Sequence, residues 1–455
     1  MNGILGRPSI VLAACVAGTG LLPAPSGSFI TIAQCDAYLS ARAPRSADIS
    51  ADGRSVAFES RARLVAADED DRPDIYVLDR TTGLVTLESV MVAMADHGSE
   101  FTFPRISGDG RFVVFEWRQA QSLDTPRADV VLRDRVAGTT RTLTMTPRNQ
   151  SPFGWSRAPD ISDDGRVVAF SSAATTLADG PDVNGAREDV YVVRLPEGTI
   201  SRVSLNSAGV QPDVGDSILP SVSADGRWIA FASTAPLDDE QPSRSNREKL
   251  VRHVYLRDAI AGRTTRVTRA LNRATPNGNS SLPAISADGR HVVFMSEASN
   301  LLAGDDNGTS DVFLYDRETG ALSWVSRAAD GQSAGGESTS PVISGDGRFV
   351  AFQSDAGNLV CTRRPGCASL AGEFDDINLV WDVFVLDREL GRIVRASEDE
   401  LGGWMEVSAA PAIGSGGQVL AFSSRHPVDA TDLAGDFDLF VRSQTPPPVI
   451  TRKSP

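Results

Sequence analysis

The chain predicts an all-β fold, a β-propeller of about seven four-stranded blades, and three observations carry that expectation. One twelve-residue phrase recurs seven times along the 455 residues. Each copy is followed by a second strand pair with its own glycine turn. No stretch has the apolar spacing of a helix. Periods of this length, with four strands to a unit, fit a propeller, whereas a β-helix needs much shorter repeats.

The phrase reads ADISADGRSVAF from Ala47, PRISGDGRFVVF from Pro104, PDISDDGRVVAF from Pro159 and PSVSADGRWIAF from Pro220. It returns as PAISADGRHVVF from Pro283, PVISGDGRFVAF from Pro341 and PAIGSGGQVLAF from Pro411, the last without the Asp and the Arg. Turn glycines lie about 55 to 70 residues apart. The apolar run before each turn and the alternating run after it are strand patterns. Asp-Gly between them signals a hairpin, since glycine accepts the positive φ of a tight turn. The leading Pro has no N–H and is tolerated at a strand start. Phe58, Phe115, Phe170, Phe231, Phe294, Phe352 and Phe422 hold one position in all seven copies, which reads as core packing.

The third strand follows a variable loop, as DIYVLDR from Asp74, DVVLRDR from Asp129, DVYVVRL from Asp189, DVFLYDR from Asp311 and DVFVLDR from Asp382. His253 replaces the leading Asp in the fourth unit, and the seventh is DLFVRSQ from Asp438. A glycine turn and a strand rich in Thr, Val and Ser close each unit. The seventh unit lacks that last strand, because Gln-Thr-Pro-Pro-Pro follows Ser443 and cannot continue a ladder. Residues 29–33, Phe-Ile-Thr-Ile-Ala, have strand composition and are expected to supply it, closing the ring and covering an open edge. Val449–Thr451 is the competing segment.

The expected organisation is a leader and tether over 1–28, one propeller over 29–445 and a disordered tail over 446–455. Blades fall at about 44–94, 102–148, 157–208, 218–274, 281–330, 339–399 and 409–445. In the leader, Arg7 precedes the apolar run Ile10 to Ala14, and Leu12-Ala13-Ala14-Cys15 resembles the lipobox of bacterial lipoproteins, with Cys15 the lipidated residue. An ordinary signal peptide cut between Ala24 and Ser28 is the alternative. Either way the expectation is export to the bacterial periplasm or cell envelope.

The units resemble the WD-like propeller repeats of TolB and related bacterial envelope proteins, whose signature is Ser-x-Asp-Gly-Arg followed by apolar residues and Phe. The resemblance covers roughly residues 44 to 445 and implies the fold. The chain has no room for TolB's separate N-terminal α/β domain, and it has one unit more than TolB's six blades, so the Tol–Pal role is not implied.

A net charge of −15 excludes nonspecific nucleic-acid binding, which needs a basic surface. Four scattered His and one close Cys pair do not make a zinc site. Cys361 and Cys367 flank a short basic turn and are expected to form a local disulfide in an oxidising compartment.

In a propeller the loops from second to third strand share one end with the blade-to-blade connections. Here they are long and acidic: Asp68 to Asp71 with Asp70 among them, Asp238-Asp239-Glu240, Asp305-Asp306, and Glu373 to Asp376 with Asp375. Variable loops on a rigid scaffold carry function, so this is the expected binding face. The loop from Asp355 to Val380, with both cysteines, Arg363, Arg364, Asp375 and Asp376, is the preferred contact site, a tolerated insertion being the other reading. Asp305, Asn307 and Asp311 resemble part of a calcium loop, weakly echoed at Asp182 to Gly185, but Ala303 and Leu314 stand where two key ligands belong. The pattern GQSAG from Gly331 matches a nucleophile elbow but sits between strands, where that motif does not work. The turn arginines Arg54, Arg111, Arg166, Arg227, Arg290 and Arg348 are expected to pair with nearby Asp.

The expected function is a membrane-tethered, monomeric binding or scaffold module that engages a protein, peptide or glycan of the envelope, with no catalytic residue and no cofactor beyond a possible calcium ion. Two alternatives stand beside it. One is a carboxylate-dependent glycoside hydrolase or lyase with its site at the central opening. The other is a propeller stabilised structurally by calcium.

Overall fold

The computed structural model describes residues 10–12, 29–32, 47–90, 99–119, 128–144, 154–178, 180–238, 251–328, 330–360, 380–398, 405, 407–426 and 437–443. They form seven sheets, of which blades one to six are each built from four antiparallel strands consecutive in the chain, and among the described residues the only helical element is a single 3-10 turn, Leu271–Arg273. The first strand of each blade touches the first strand of the next, from blade one through blade seven and back to blade one. The seven first strands therefore surround a central opening, and the ring is closed.

Closure follows the expected route. Blade seven contributes Ser408–Ile413, Val419–Ser424 and Asp438–Ser443, and its fourth strand is Phe29–Ile32, antiparallel to the third with Phe29 opposite Arg442 and Ile32 opposite Leu439. A further short strand, Ile10–Leu12, lies parallel outside it, an addition that the leader composition did not suggest. The competing segment Val449–Thr451 lies outside the described residues.

The repeated residues explain the blade. Each phrase Phe is at most 1% exposed and stacks on the aromatic of the adjoining third strand, as in Phe58 on Tyr76 and Phe352 on Phe384, with ring centroids 5.7 and 5.9 Å apart. Blade two has Val131 opposite Phe115 and takes Phe101 edge-on instead. The strand-opening Asp is a fastener. The Ser204 hydroxyl donates to Asp189 at 2.6 Å and accepts the Val190 amide, and the same triangle recurs at Asp129–Thr144 and Asp311–Ser326.

The Asp-Gly-Arg turns make one end of the ring. Ser107 donates to Asp109, which accepts the Arg111 amide, and Arg111 reaches Asp134 at 2.7 Å. Equivalent pairs join Arg54 to Asp79, Arg227 to Asp258, Arg290 to Asp316 and Arg348 to Asp387. Arg166 has no such pair among the described residues, because Arg194 stands at that Asp position. Turn glycines have φ near +70° and press on the preceding blade: a Cβ at Gly226 would lie 2.3 Å from Val167. Backbone bonds between turns, Ala51 to Gly108, Gly108 to Asp163 and onward to Asp346 with Ser415, run from blade to blade around this end.

Candidate functional site

The other end and the opening beneath it hold the polar chemistry. In six blades the residue before the inner-strand Pro has φ between 50° and 56°: Phe103, Ala158, Leu219, Leu282, Ser340 and Ala410. A bulge interrupts the strand pairing there. Left-handed backbone at residues with a Cβ is strained, and the bulge turns each amide toward the preceding blade. The residue after the phrase Phe answers it. Glu59 accepts the Phe103 amide at 3.3 Å, Glu116 the Ala158 amide at 3.5 Å, Ser171 the Leu219 amide and Gln353 the Ala410 amide.

Two of these groups are carboxyls in neighbouring blades. Burial pushes Glu59 up to about 7, with Glu116 adding to the shift and the Phe103 amide, Arg118 and Arg61 opposing it. Glu116, 2% exposed, is also raised, again chiefly by burial. Arg118 donates through Nε to Glu116 at 2.8 Å, and its guanidinium lies 5.4 Å from the Phe103 ring centre. In blade three Arg157 grips Glu188 with two bonds of 2.6 and 2.5 Å, and the Trp155 ring N–H reaches the same carboxylate at 3.2 Å. This arc of acids, arginines and one indole runs along blades one to three at the loop end.

Below it the opening holds a small pocket of about 40 Å³ lined by Phe103, Arg105, Asp160, Leu219, Leu282 and Ser340 among others. Arg105 faces Asp160 at 3.4 Å, and the second Asp160 oxygen accepts the Val222 amide. Burial, then Asp48, Asp160 and Asp164, push Asp163 up to about 6.

The loops from second to third strand give the predicted acidic residues unequal places. In blade one, carboxylate oxygens of Asp68, Asp70 and Asp74 lie within 4.8 Å of one another. Asp68 is buried and accepts the Tyr76 hydroxyl, and Asp70 is exposed. In blade four Asp238 is turned inward, 3.0 Å from Arg266. In blade five Asn307 donates to Asp311 at 3.0 Å, and Asp311 also holds Ser326. Asp305 is pushed up to about 6 by burial and its acidic neighbours. Ser333 of the elbow-like pattern bonds Gly304 and Asp306, as an ordinary loop residue would. Cys15, Asp239, Cys361, Arg363, Arg364, Cys367, Asp375 and Asp376 lie outside the described residues.

Sequence reasoning missed Glu59, Glu116, Arg118, Trp155, Arg157 and Glu188. The available signal was the position after the invariant Phe: strand alternation turns it away from the Phe side, and it is acidic only in blades one and two.

Compared with family models and with curated proteins, the sequence matches none. Solved structures are similar in fold. An oligogalacturonate lyase in complex with manganese shares 12% identity, with 95% of this chain and 99% of that one covered and a TM-score of 0.50. The propeller domain of the Trilobed protease from Pyrococcus furiosus shares 10%, covering 91% and 100%, with a TM-score of 0.47. A putative TolB from Agrobacterium tumefaciens shares 17%, covering 63% and 81%, with a TM-score of 0.36. The chain is a seven-bladed β-propeller built from TolB-like repeats, and it is not TolB itself.

Proposed function

We propose that the chain is a binding or scaffold propeller of the cell envelope that engages its partner, a protein, peptide or glycan, through the loop end of the ring. One observation carries this reading: the two ends are built differently. The turn end spends its polar groups on itself, in Ser–Asp–Arg–Asp chains and blade-to-blade backbone bonds. The loop end keeps Trp155, Arg118 and Arg157 half-exposed above buried carboxylates. Export, with a lipid on Cys15 as the tether, belongs to the same proposal; cleavage before Cys15 would leave Phe29–Ile32 as the outermost strand of blade seven by removing Ile10–Leu12.

The test is a photo-crosslinking residue placed at Asp71 or Arg187 on the loop end, and at Thr82 or Glu197 on the turn end, of the chain expressed in its own envelope. Adducts from the loop end alone are expected. Adducts from the turn end alone, or from neither end, overturn the reading.

Glu59 and Glu116 favour a second reading, a glycoside hydrolase or lyase at the opening. A carboxyl near 7 is a proton donor at neutral pH beside a second acid. It requires bond cleavage in an envelope polysaccharide that Glu59→Gln abolishes; binding without cleavage dismisses it. The acids of blade one keep a structural calcium ion as a third role, and a melting temperature unmoved by calcium or chelator dismisses that one.

A further inference from the structure

The mouth between blades two and three differs from the rest of this acidic chain in what it offers to solvent. Arg118 uses only Nε on Glu116; its side chain is 45% exposed, and among the described residues its two terminal nitrogens have no protein partner. Glu116 fixes that nitrogen from a nearly solvent-free position and is itself held by the Ala158 amide, so the guanidinium fork is aimed in advance. Arg157 is pinned more fully, through Nε and one terminal nitrogen on Glu188, and its remaining edge faces out of a side chain that is 47% exposed. Trp155, 37% exposed, is tied to Glu188 through its ring N–H.

Two pre-aimed guanidinium groups suit carboxylates, which they bond in a planar two-pronged fashion. An indole held by its ring nitrogen suits a flat ligand with an apolar face, since its ring offers broad contact area with few torsions to freeze. A sugar ring presents such a face, and a sugar acid presents the carboxylate beside it. The apolar groups beside the two arginines are flat rings, Trp155 and the Phe103 ring next to Arg118, which favours a sugar ring over an aliphatic peptide side chain.

We propose that this mouth binds an acidic saccharide, an oligosaccharide carrying uronic acid groups, with Trp155 beneath a sugar ring and Arg118 and Arg157 on its carboxylates. The proposal rests on the loop end being the binding face and names the ligand it takes. It adds no bond-breaking step.

The test is calorimetric titration of the full chain with a trimer of a uronic acid, its methyl ester and its neutral counterpart. The acid should bind, and the ester and the neutral trimer should bind at least about tenfold more weakly, the loss of one charge-assisted pair. Arg118→Gln and Trp155→Ala should each weaken the acid about tenfold, while Arg54→Gln at the turn end should not. Equal binding of acid and ester, or no binding at all, overturns the proposal. If Arg118→Gln fails to fold, the acid-to-ester ratio on the unaltered chain decides alone. A loop-end crosslink to a protein, with no saccharide binding, leaves the binding-face reading standing and removes this one. Displacement of the saccharide by a peptide only through its C-terminal carboxylate confirms the arginine fork, whereas a peptide that binds when the saccharide does not overturns the assignment.

Discussion

Blades one and three carry the same loop and balance its charge differently. In blade three Asp182, Asn184 and Asp189 converge on the Gln211 side-chain nitrogen, at 2.9, 2.8 and 2.8 Å. Arg202 lies 3.3 Å from Asp189 and 3.8 Å from Asp182. In blade one Asp68, Asp70 and Asp74 converge with no such amide among the described residues, and Leu87 stands at the position of Arg202, opposite Tyr76 as Arg202 is opposite Tyr191. Burial pushes both Asp74 and Asp189 up to about 6. Around Asp189 the Ser204 hydroxyl, Arg202 and Asn184 pull back against one acid, Asp182; around Asp74 only Ser89 pulls back while two acids, Asp68 and Asp70, push further. The repeat thus conserves the loop's backbone task and leaves its charge to one residue on the closing strand. That residue is Leu87, Arg202, Arg266, Trp324 or Arg395 in blades one, three, four, five and six.

The comparison breaks most visibly at Arg202. Arg202→Leu recreates blade one's arrangement around two buried carboxylates and should cost about 3–5 kcal/mol, as removal of one partner of a buried pair does; denaturant unfolding measures it. A loss no larger than that of an exposed pair would show that blade three does not depend on its own cation. Gln211→Leu strips the donor from three oxygens and should cost about 2 kcal/mol by the same assay. Leu87→Arg runs the experiment in reverse and sharpens the contrast. It should stabilise blade one by about 1 kcal/mol at neutral pH and lower the Asp74 carboxyl pKa, followed by NMR titration.

The last effect is in pH. A carboxyl raised from 3.8 to about 6 in the folded chain supports folding below 3.8, and that support disappears as pH rises through 6. Asp74→Asn should therefore flatten the melting temperature between those values. An unchanged slope would place the pH dependence elsewhere.

The fold was legible because its determinants are repeated. The Gly110 and Phe115 positions recur in all seven blades and the Asp129 position in six, so a single blade's noise averages out. The closing strand was legible for the opposite reason: the chain after Ser443 lacks a strand, and only two segments have the composition to replace it. The arc at the loop end was hidden because it breaks the repeat. Glu116 and Arg118 matter through contacts with Ala158 and Phe103 on neighbouring inner strands, and those contacts depend on a left-handed bulge before Pro104 and Pro159 that no spacing rule announces. Asp238 misled in the other direction, since an acid in a variable loop reads as surface until Arg266 is found beside it.

The closing strand also sets an order of events. Phe29–Ile32 pairs with Asp438–Ser443, roughly four hundred residues further along the chain. No other strand pair joins residues so distant in the chain among those described. The ring therefore cannot shut until Asp438–Ser443 has been made, and the earlier strand waits with its edge unsatisfied until then. Pairing at such separation is slow to form and exposed to misassembly while it waits.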